Sequence, residues 1–438
     1  MKFWNTQLWI KWKESTIVPG LILLLLVAYA HSQMSWDGDA SWFRKMDLSV
    51  SWAVTRYLYW SSRILLDALC VAFLTIFGIT AWHVADACVM WLCCRLLVEL
   101  ACPRDRQAFG MWCMIPIVLL FPLGILHTAG WPATLFNYLW PGTALLAALI
   151  PVKWIWEGRH VPSWLAVSSL FPLALALNSE QSWLLFSGIW LFAVWFQFRQ
   201  WPRKLLFAQG IMIVAAAAFI AFCPGNERRI IGSIYGCWPD FGTTSLLDKI
   251  VLGINNMGSF FLTQELFLLL FTAVLAWKVW RKYDDLFFHM IGILPLALKW
   301  GTVAYLAYRA WDRLRAAHAW TMDALLGTIA LSPQHIVTPL SADRFSAYLP
   351  LAASLLFFVS IALALYVLYG HTKTSFCMVG LYLLGCGSSL LPALSPTLFA
   401  SSTRIFFFQY LVDILILLQM MCMQRQMSSE EDFEEGKG

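Results

Sequence analysis

The chain has 438 residues, of which 60% are hydrophobic and 13% charged, with a formal net charge of +5. A soluble globular domain carries about 25% charged residues, so roughly half that value, spread over many apolar runs of about 20 residues, excludes an ordinary soluble fold. What remains is an all-α, polytopic transmembrane helical bundle, whose basic residues near span ends report topology and argue against a nucleic-acid partner.

In chain order, residues 1–16 are polar and aromatic, with Lys2, Lys11 and Lys13 ahead of the first apolar run. No small-residue cleavage site follows, so this run reads as a retained first span. Apolar runs set against polar breaks predict about twelve spans. They fall near 17–32, 64–92, 110–127, 140–154, 163–178, 182–198, 205–223, 258–277, 286–307, 346–370, 374–392 and 404–423. Together 1–423 form the bundle, and 424–438 is an acidic, solvated tail without chemistry of its own.

Topology follows from where the basic residues collect. Arg95, Arg104, Arg106, Lys153, Arg159, Arg199, Arg203, Lys204, Lys278, Arg281, Lys282, Lys373 and Arg425 occupy alternating short loops, which places those loops and both termini in the cytoplasm. The opposite loops, 33–63, 128–139, 179–181, 224–257, 308–345 and 393–403, mix acids, arginines, tryptophans and asparagines. A plain transporter keeps such loops short and puts its polar groups at the bilayer midplane; here they gather at one face.

The first outer loop opens with "SWDGDASWFRKMD", which holds Asp37, Asp39 and Asp47. A carboxylate at a bundle mouth can act as general base on a hydroxyl or ligate a hard divalent cation. Gly38 permits a tight turn that would point both carboxylates the same way, and a merely solvated turn is the alternative. In "LSVSWAVTRYLYWSSR", residues 48–63, Val50, Val54, Tyr57 and Leu58 recur at helical spacing. That predicts an amphipathic helix lying in the membrane interface, capped by Asp47; a plain linker is the alternative.

Four later stretches carry polar chemistry. "HTAGWPATLFNYLWPG", an uncharged outer loop, offers Trp131, Asn137 and Tyr138 to a sugar or headgroup, with an interfacial aromatic belt as the alternative. "LNSEQSW" sets Asn178, Glu180 and Gln181 in a very short connection, where a carboxylate is costly unless satisfied or functional, hairpin capping being the alternative. "CPGNERR" presents Asn226, Arg228 and Arg229, guanidiniums suited to a phosphate oxygen on a face where positive charge is unusual. Arg63 and the later Arg309, Arg313, Arg315, Arg344 and Arg404 extend that set, against a background of headgroup snorkelling.

The eleven cysteines lie mostly in apolar runs, as small core residues. Cys223 and Cys237 fall outside, placed to pair in an oxidising compartment. His31, His83, His127, His289, His318, His335 and His371 show no metal-binding spacing, and no Walker or GxGxxG motif occurs in a suitable context.

In order, "DGDASWF", "RYLYWSSR", "GWPATLFNYLWP", "NSEQ", "PGNERR" and "SSTRIF" make the chain resemble the GT-C membrane glycosyltransferases, in particular bacterial glucosyltransferases acting on O-antigen or other surface polysaccharides. The resemblance implies a GT-C bundle in the bacterial inner membrane that takes a sugar from a polyprenyl-phosphate carrier to a surface glycan or lipid-linked saccharide. It implies an acid of the first outer loop as base, here Asp39 or Asp37, with Asp39 favoured by the "ASWF" that follows it. Arg228, Arg229 and Arg404 would hold the phosphate, with a divalent cation, Mg or Mn, in some members. Gly38 between the aspartates departs from the commoner adjacent pair. Two rivals stand beside it. A transporter or flippase of lipid-linked saccharide would use the in-span Asp67, Asp86, Lys299 and Asp413, and a polysaccharide ligase or polymerase would need no aspartate base.

Overall fold

The computed structural model describes residues 15–263, 266–316 and 349–423. Arg344, His318, His335, the N-terminal lysines and the acidic tail lie outside the described residues, as do the side chains of Arg309, Arg313 and Arg315. Every regular element among the described residues is helical, and none is a strand. That is the outcome expected where no water is present to satisfy backbone polar groups.

The elements are α1 (Ile17–Ser32), α2 (Ala40–Phe43), α3 (Val50–Tyr59), α4 (Ile64–Ala101), α5 (Gln107–Leu120), α6 (Trp131–Trp156), α7 (Ser163–Ala176) and α8 (Glu180–Gln197). They continue as α9 (Arg203–Ala221), α10 (Pro224–Cys237), α11 (Leu246–Thr263), α12 (Phe267–Lys282), α13 (Leu286–Ala316), α14 (Leu349–Tyr369), α15 (Lys373–Leu390) and α16 (Phe407–Cys422). Among the described residues seven helices are long and apolar enough to cross a membrane, and eight if α11 and α12 count as one span. The apolar α1 and α7 are shorter.

The most apolar stretches of α6 and of Ser402–Cys422 are 78% and 83% buried inside the protein, against 11% for α9. The first two are therefore the centre of the bundle and α9 its periphery. Around α6 pack α4 and α7; around α16 pack α4, α12 and α15. Phe260, Phe261, Phe267, Phe406 and Tyr410 interlock beside them, with Phe260 and Phe406 stacked at 4.6 Å. Such ring pairs add roughly 0.5–1.5 kcal/mol each beyond area burial.

Because α4, α6, α8 and α16 each run from one end of the bundle to the other, the two sets of loops separate. At one end Arg63, Asn137, Glu180 and Arg404 lie close to the helix starts, together with the loop of Asp37. At the other, Arg95 pairs with Glu99, Lys153 with Glu157, and Lys282 donates to the Leu368 carbonyl.

Several local expectations change. The loop expected at 128–139 is mostly helix: after a 3-10 turn at Leu123–His127, Gly130 takes φ +88°, Pro132 sits in the first turn, and α6 begins at Trp131. Its aromatic and amide side chains thus point along a central helix. The span expected at 258–277 is two helices, α11 and α12, inclined by 81° across residues 264–265. The 224–257 loop contains α10 and the start of α11, and α13 continues past the expected span end to Ala316. An amphipathic helix does form after Asp47, but Ser49 caps it, its hydroxyl accepting the Trp52 N–H at 3.1 Å. Cys223 and Cys237 are both free thiols. They sit at the two ends of α10, a rise of about 20 Å that no disulfide spans.

Candidate functional site

Gly38 and Gly130 bring the first loop onto the start of α6. Both have positive φ, +55° and +88°. The backbones cross so closely that a Cβ on Gly38 would lie 2.5 Å from the Ala129 oxygen and 2.8 Å from Gly130 Cα. Only glycine fits either place. At this crossing the Asp39 N–H donates to the Ala129 carbonyl at 3.0 Å, while Asp37 faces the other way, onto α6.

Asp37 is consequently the organised carboxylate of the two. Its Oδ1 accepts the Trp131 N–H at 3.0 Å; its Oδ2 accepts from His127 Nε2 at 2.5 Å and from the Ser35 hydroxyl at 3.2 Å. Burial alone would raise its pKa, but the His127 hydrogen bond and then the Trp131 N–H outweigh burial and hold the carboxyl below its usual range. The His127 ring stacks on Trp131 at 4.6 Å. Next to it the Thr128 hydroxyl accepts from Arg404 Nη1 at 3.4 Å. Asp39 is exposed, and its carboxylate makes no hydrogen bond among the described residues.

A second cluster sits about 9 Å further along α6, at Asn137. Arg63 pairs with Glu180 at 2.7 Å and donates to Asn137 Oδ1 at 3.2 Å. Burial opposes the charge on both partners. For Arg63 the Glu180 carboxylate more than compensates and the pKa rises; for Glu180 the Arg63 and Arg229 guanidiniums do so and the pKa falls below the ordinary carboxylate value. Both side chains are about one-fifth exposed, at 22% and 20%, so solvent screens the pair. With a folded pKa below its unfolded value of about 4.3, Glu180 contributes stability above that pH and loses it as pH falls through the lowered value. Acidification from about pH 7 to about pH 3 should therefore lower the melting temperature of the unaltered protein more than that of Glu180→Gln.

Arg229 faces this cluster without an ion pair of its own among the described residues; burial, then Arg63, lowers its pKa. Arg228 stacks on Tyr59 at 4.2 Å. Of the expected phosphate-binding arginines, Arg404, Arg228 and Arg229 thus have no carboxylate partner among the described residues, whereas Arg63 is neutralised by Glu180.

The other expected side chains are largely committed to the scaffold. Gln181 is buried and donates to the Ser388 and Ile405 carbonyls at 2.7 and 2.8 Å. Asn226 donates to Ser62 Oγ and the Ile220 carbonyl. Asn178 Oδ1 accepts the Leu65 and Leu66 N–H groups, closing the start of α4. Tyr138 is buried beside Phe408. Trp131 alone of the aromatic set borders the Asp37 carboxylate.

His127 and Arg56 are the members that sequence reasoning passes over. Arg56 ion-pairs with Asp67 at 2.7 Å, and its guanidinium lies 4.6 Å from Trp42 and 5.3 Å from Trp60. For a divalent cation, the Asp37 oxygens are already taken by three donors, and no three His, Cys, Asp or Glu side chains gather among the described residues. The donor set does not fit a metal. A cavity of about 430 Å³, lined by Cys102, Phe192, Leu384, Leu415 and Gln419, lies at the opposite end of the bundle.

The organised polar site is thus a carboxylate–imidazole pair just before the start of a central helix, with a carboxylate-free guanidinium, that of Arg404, beside it. No protein-family model, curated protein or solved structure matches the chain.

Proposed function

We propose that the protein is an inverting membrane glycosyltransferase of GT-C type. It moves a sugar from a polyprenyl-phosphate carrier onto a hydroxyl of a surface glycan or lipid-linked saccharide, at the outer face of a bacterial inner membrane. The observation that carries this reading is the joint placement of Asp37, His127 and the carboxylate-free Arg404 at the start of α6, with Arg229 beside the Arg63–Glu180 pair further along it. Displacement at an anomeric carbon needs proton acceptance on one side and neutralisation of the leaving phosphate on the other. The separation of the basic loops from this end supports both termini being cytoplasmic. About twelve spans remain the proposed count, with α1, α5, α7 and α8 as the shorter crossings, and α3, bearing exposed Val50, Val54 and Leu58, as the interfacial helix.

Of the first-loop acids the reading takes Asp37. In native membranes supplied with radiolabelled polyprenyl-phosphate hexose, Asp37→Asn is expected to lower transfer at least about 100-fold, and Asp39→Asn by less than about threefold. Full transfer by both variants and by the double variant sinks the mechanism.

A flippase of lipid-linked saccharide is favoured by a different observation. Asp86, Lys299 and Asp413 are buried within helices: Asp86 is bonded by Trp140, Lys299 donates to the Phe261 carbonyl, and Asp413 accepts from Gln409. Translocation of the labelled carrier without product would favour that alternative.

A further inference from the structure

Resting on the glycosyltransferase reading, we propose that His127, rather than a carboxylate, receives the proton of the acceptor hydroxyl, and that Asp37 is its positioning residue. The three donors on Asp37 leave it little capacity to accept another proton. Oδ1 is taken by the Trp131 N–H, and Oδ2 by His127 and Ser35. The same bonds stabilise its anion and hold it below the usual carboxylate range, which makes it a weak base. An anion so held is well suited to orient an imidazole.

His127 offers what Asp37 lacks. Donation from Nε2 to Asp37 fixes the tautomer whose lone pair lies on Nδ1. Nδ1 makes no hydrogen bond among the described residues, and the side chain is 46% exposed. Stacking on Trp131 holds the ring plane of this partly exposed side chain. Thr128, the next residue, accepts from Arg404, which sets a guanidinium beside the imidazole.

The acceptor oxygen forms a bond to the anomeric carbon, and the bond from that carbon to the carrier phosphate oxygen breaks, its electron pair leaving with the phosphate. The hydroxyl proton passes to His127 Nδ1, and Asp37 stabilises the resulting imidazolium through the Nε2–H bond. Release of that proton to water restores the neutral ring. Arg404 meets the charge gathering on the phosphate.

A base and a structural loop anchor are separated by chemical rescue. In native membranes with radiolabelled polyprenyl-phosphate hexose, His127→Ala is expected to lower kcat about 100- to 10,000-fold. The KM for the carrier should stay within about threefold, and added imidazole should restore the rate at least about tenfold. Asp37→Asn should lose rate comparably but gain nothing from imidazole, and the double variant should fall little below either single one, as residues acting as a unit do. His127→Gln, whose amide nitrogen reaches the Nε2 position and so keeps a donor toward Asp37, is the second variant: melting like the unaltered protein while failing to transfer supports the base. Transfer near the original rate by either His127 variant overturns the proposal and leaves the glycosyltransferase reading standing, as does a loss in His127→Ala that imidazole cannot reverse. No transfer by the unaltered protein removes both.

Discussion

Gly130→Ala is expected to destabilise the protein by about 1–5 kcal/mol and to abolish sugar transfer with it. Two costs add. Holding a non-glycine residue at φ +88° costs about 1–3 kcal/mol of backbone strain. A methyl at this site would also lie 2.8 Å from the Asp37 carbonyl carbon and 3.0 Å from Gly38 Cα, and would strike the Asp37 carbonyl oxygen. Because those atoms are backbone, relief requires moving the whole first loop, an overpacking cost of about 1–3 kcal/mol. The smaller entropy of the unfolded alanine chain returns about 0.4–1 kcal/mol. A loop pushed off α6 takes Asp37 away from the Trp131 N–H and from His127, so activity falls even in the fraction that stays folded. Gly124, in the turn just before, is the control. It has negative φ, and no atom lies within 4 Å of where an alanine methyl would stand, so Gly124→Ala should stay within about 0.5 kcal/mol. Thermal unfolding in detergent beside the transfer assay separates the two variants. Equal melting of Gly130→Ala and Gly124→Ala would dismiss the backbone crossing as the device that positions Asp37.

That crossing also marks how far the sequence can be read. Apolar runs locate the helices because each must satisfy its own backbone and cover about 20 residues of apolar surface, a signal carried by neighbouring residues. "SWDGDASWF" stands out by charge, and its glycine can be read as a turn. Which carboxylate the turn organises cannot, because the deciding partners are the Trp131 N–H and His127, about 90 residues away. His127 carries no metal-binding spacing, and a hydrogen-bonded dyad needs none, so no local pattern announces it. One local signal does exist: Gly130 followed by Pro132 is a helix start, which moves Asn137 and Tyr138 from a loop onto α6. The aromatic and amide composition of that stretch suggests a ligand-lined loop and conceals it. Gln181 and Asn226 illustrate the reverse. Their side chains invite a binding role, but each spends its donors on neighbouring backbone or hydroxyl groups across helix ends, where buried polar atoms must be satisfied.

Arg56→Ala is the other large loss expected, about 3–5 kcal/mol. Arg56 and Asp67 are 6% and 4% exposed at their side chains and meet at 2.7 Å, so truncating the arginine strands a buried carboxylate. Arg56 also lies against Trp42, Phe43 and Trp60, which ties α2 and the end of α3 to the first turn of α4. These cation–π contacts, the nearest to Trp42 at 4.6 Å, are lost with the guanidinium and fall within that total. Arg56→Lys keeps the charge but not the planar fork, and should fall between the two. The decisive variant is Arg56→Met with Asp67→Leu. If the cost of Arg56→Ala is mainly the stranded carboxylate, the double variant should recover most of the melting temperature, because an apolar pair of similar volume replaces a buried ion pair at little cost. Coupling between the two sites should then be at least about 2 kcal/mol in a double-mutant cycle. Additive losses would mean instead that Arg56 acts through its aromatic contacts alone, and that the loop carrying Asp37 is held down by stacking rather than by the ion pair.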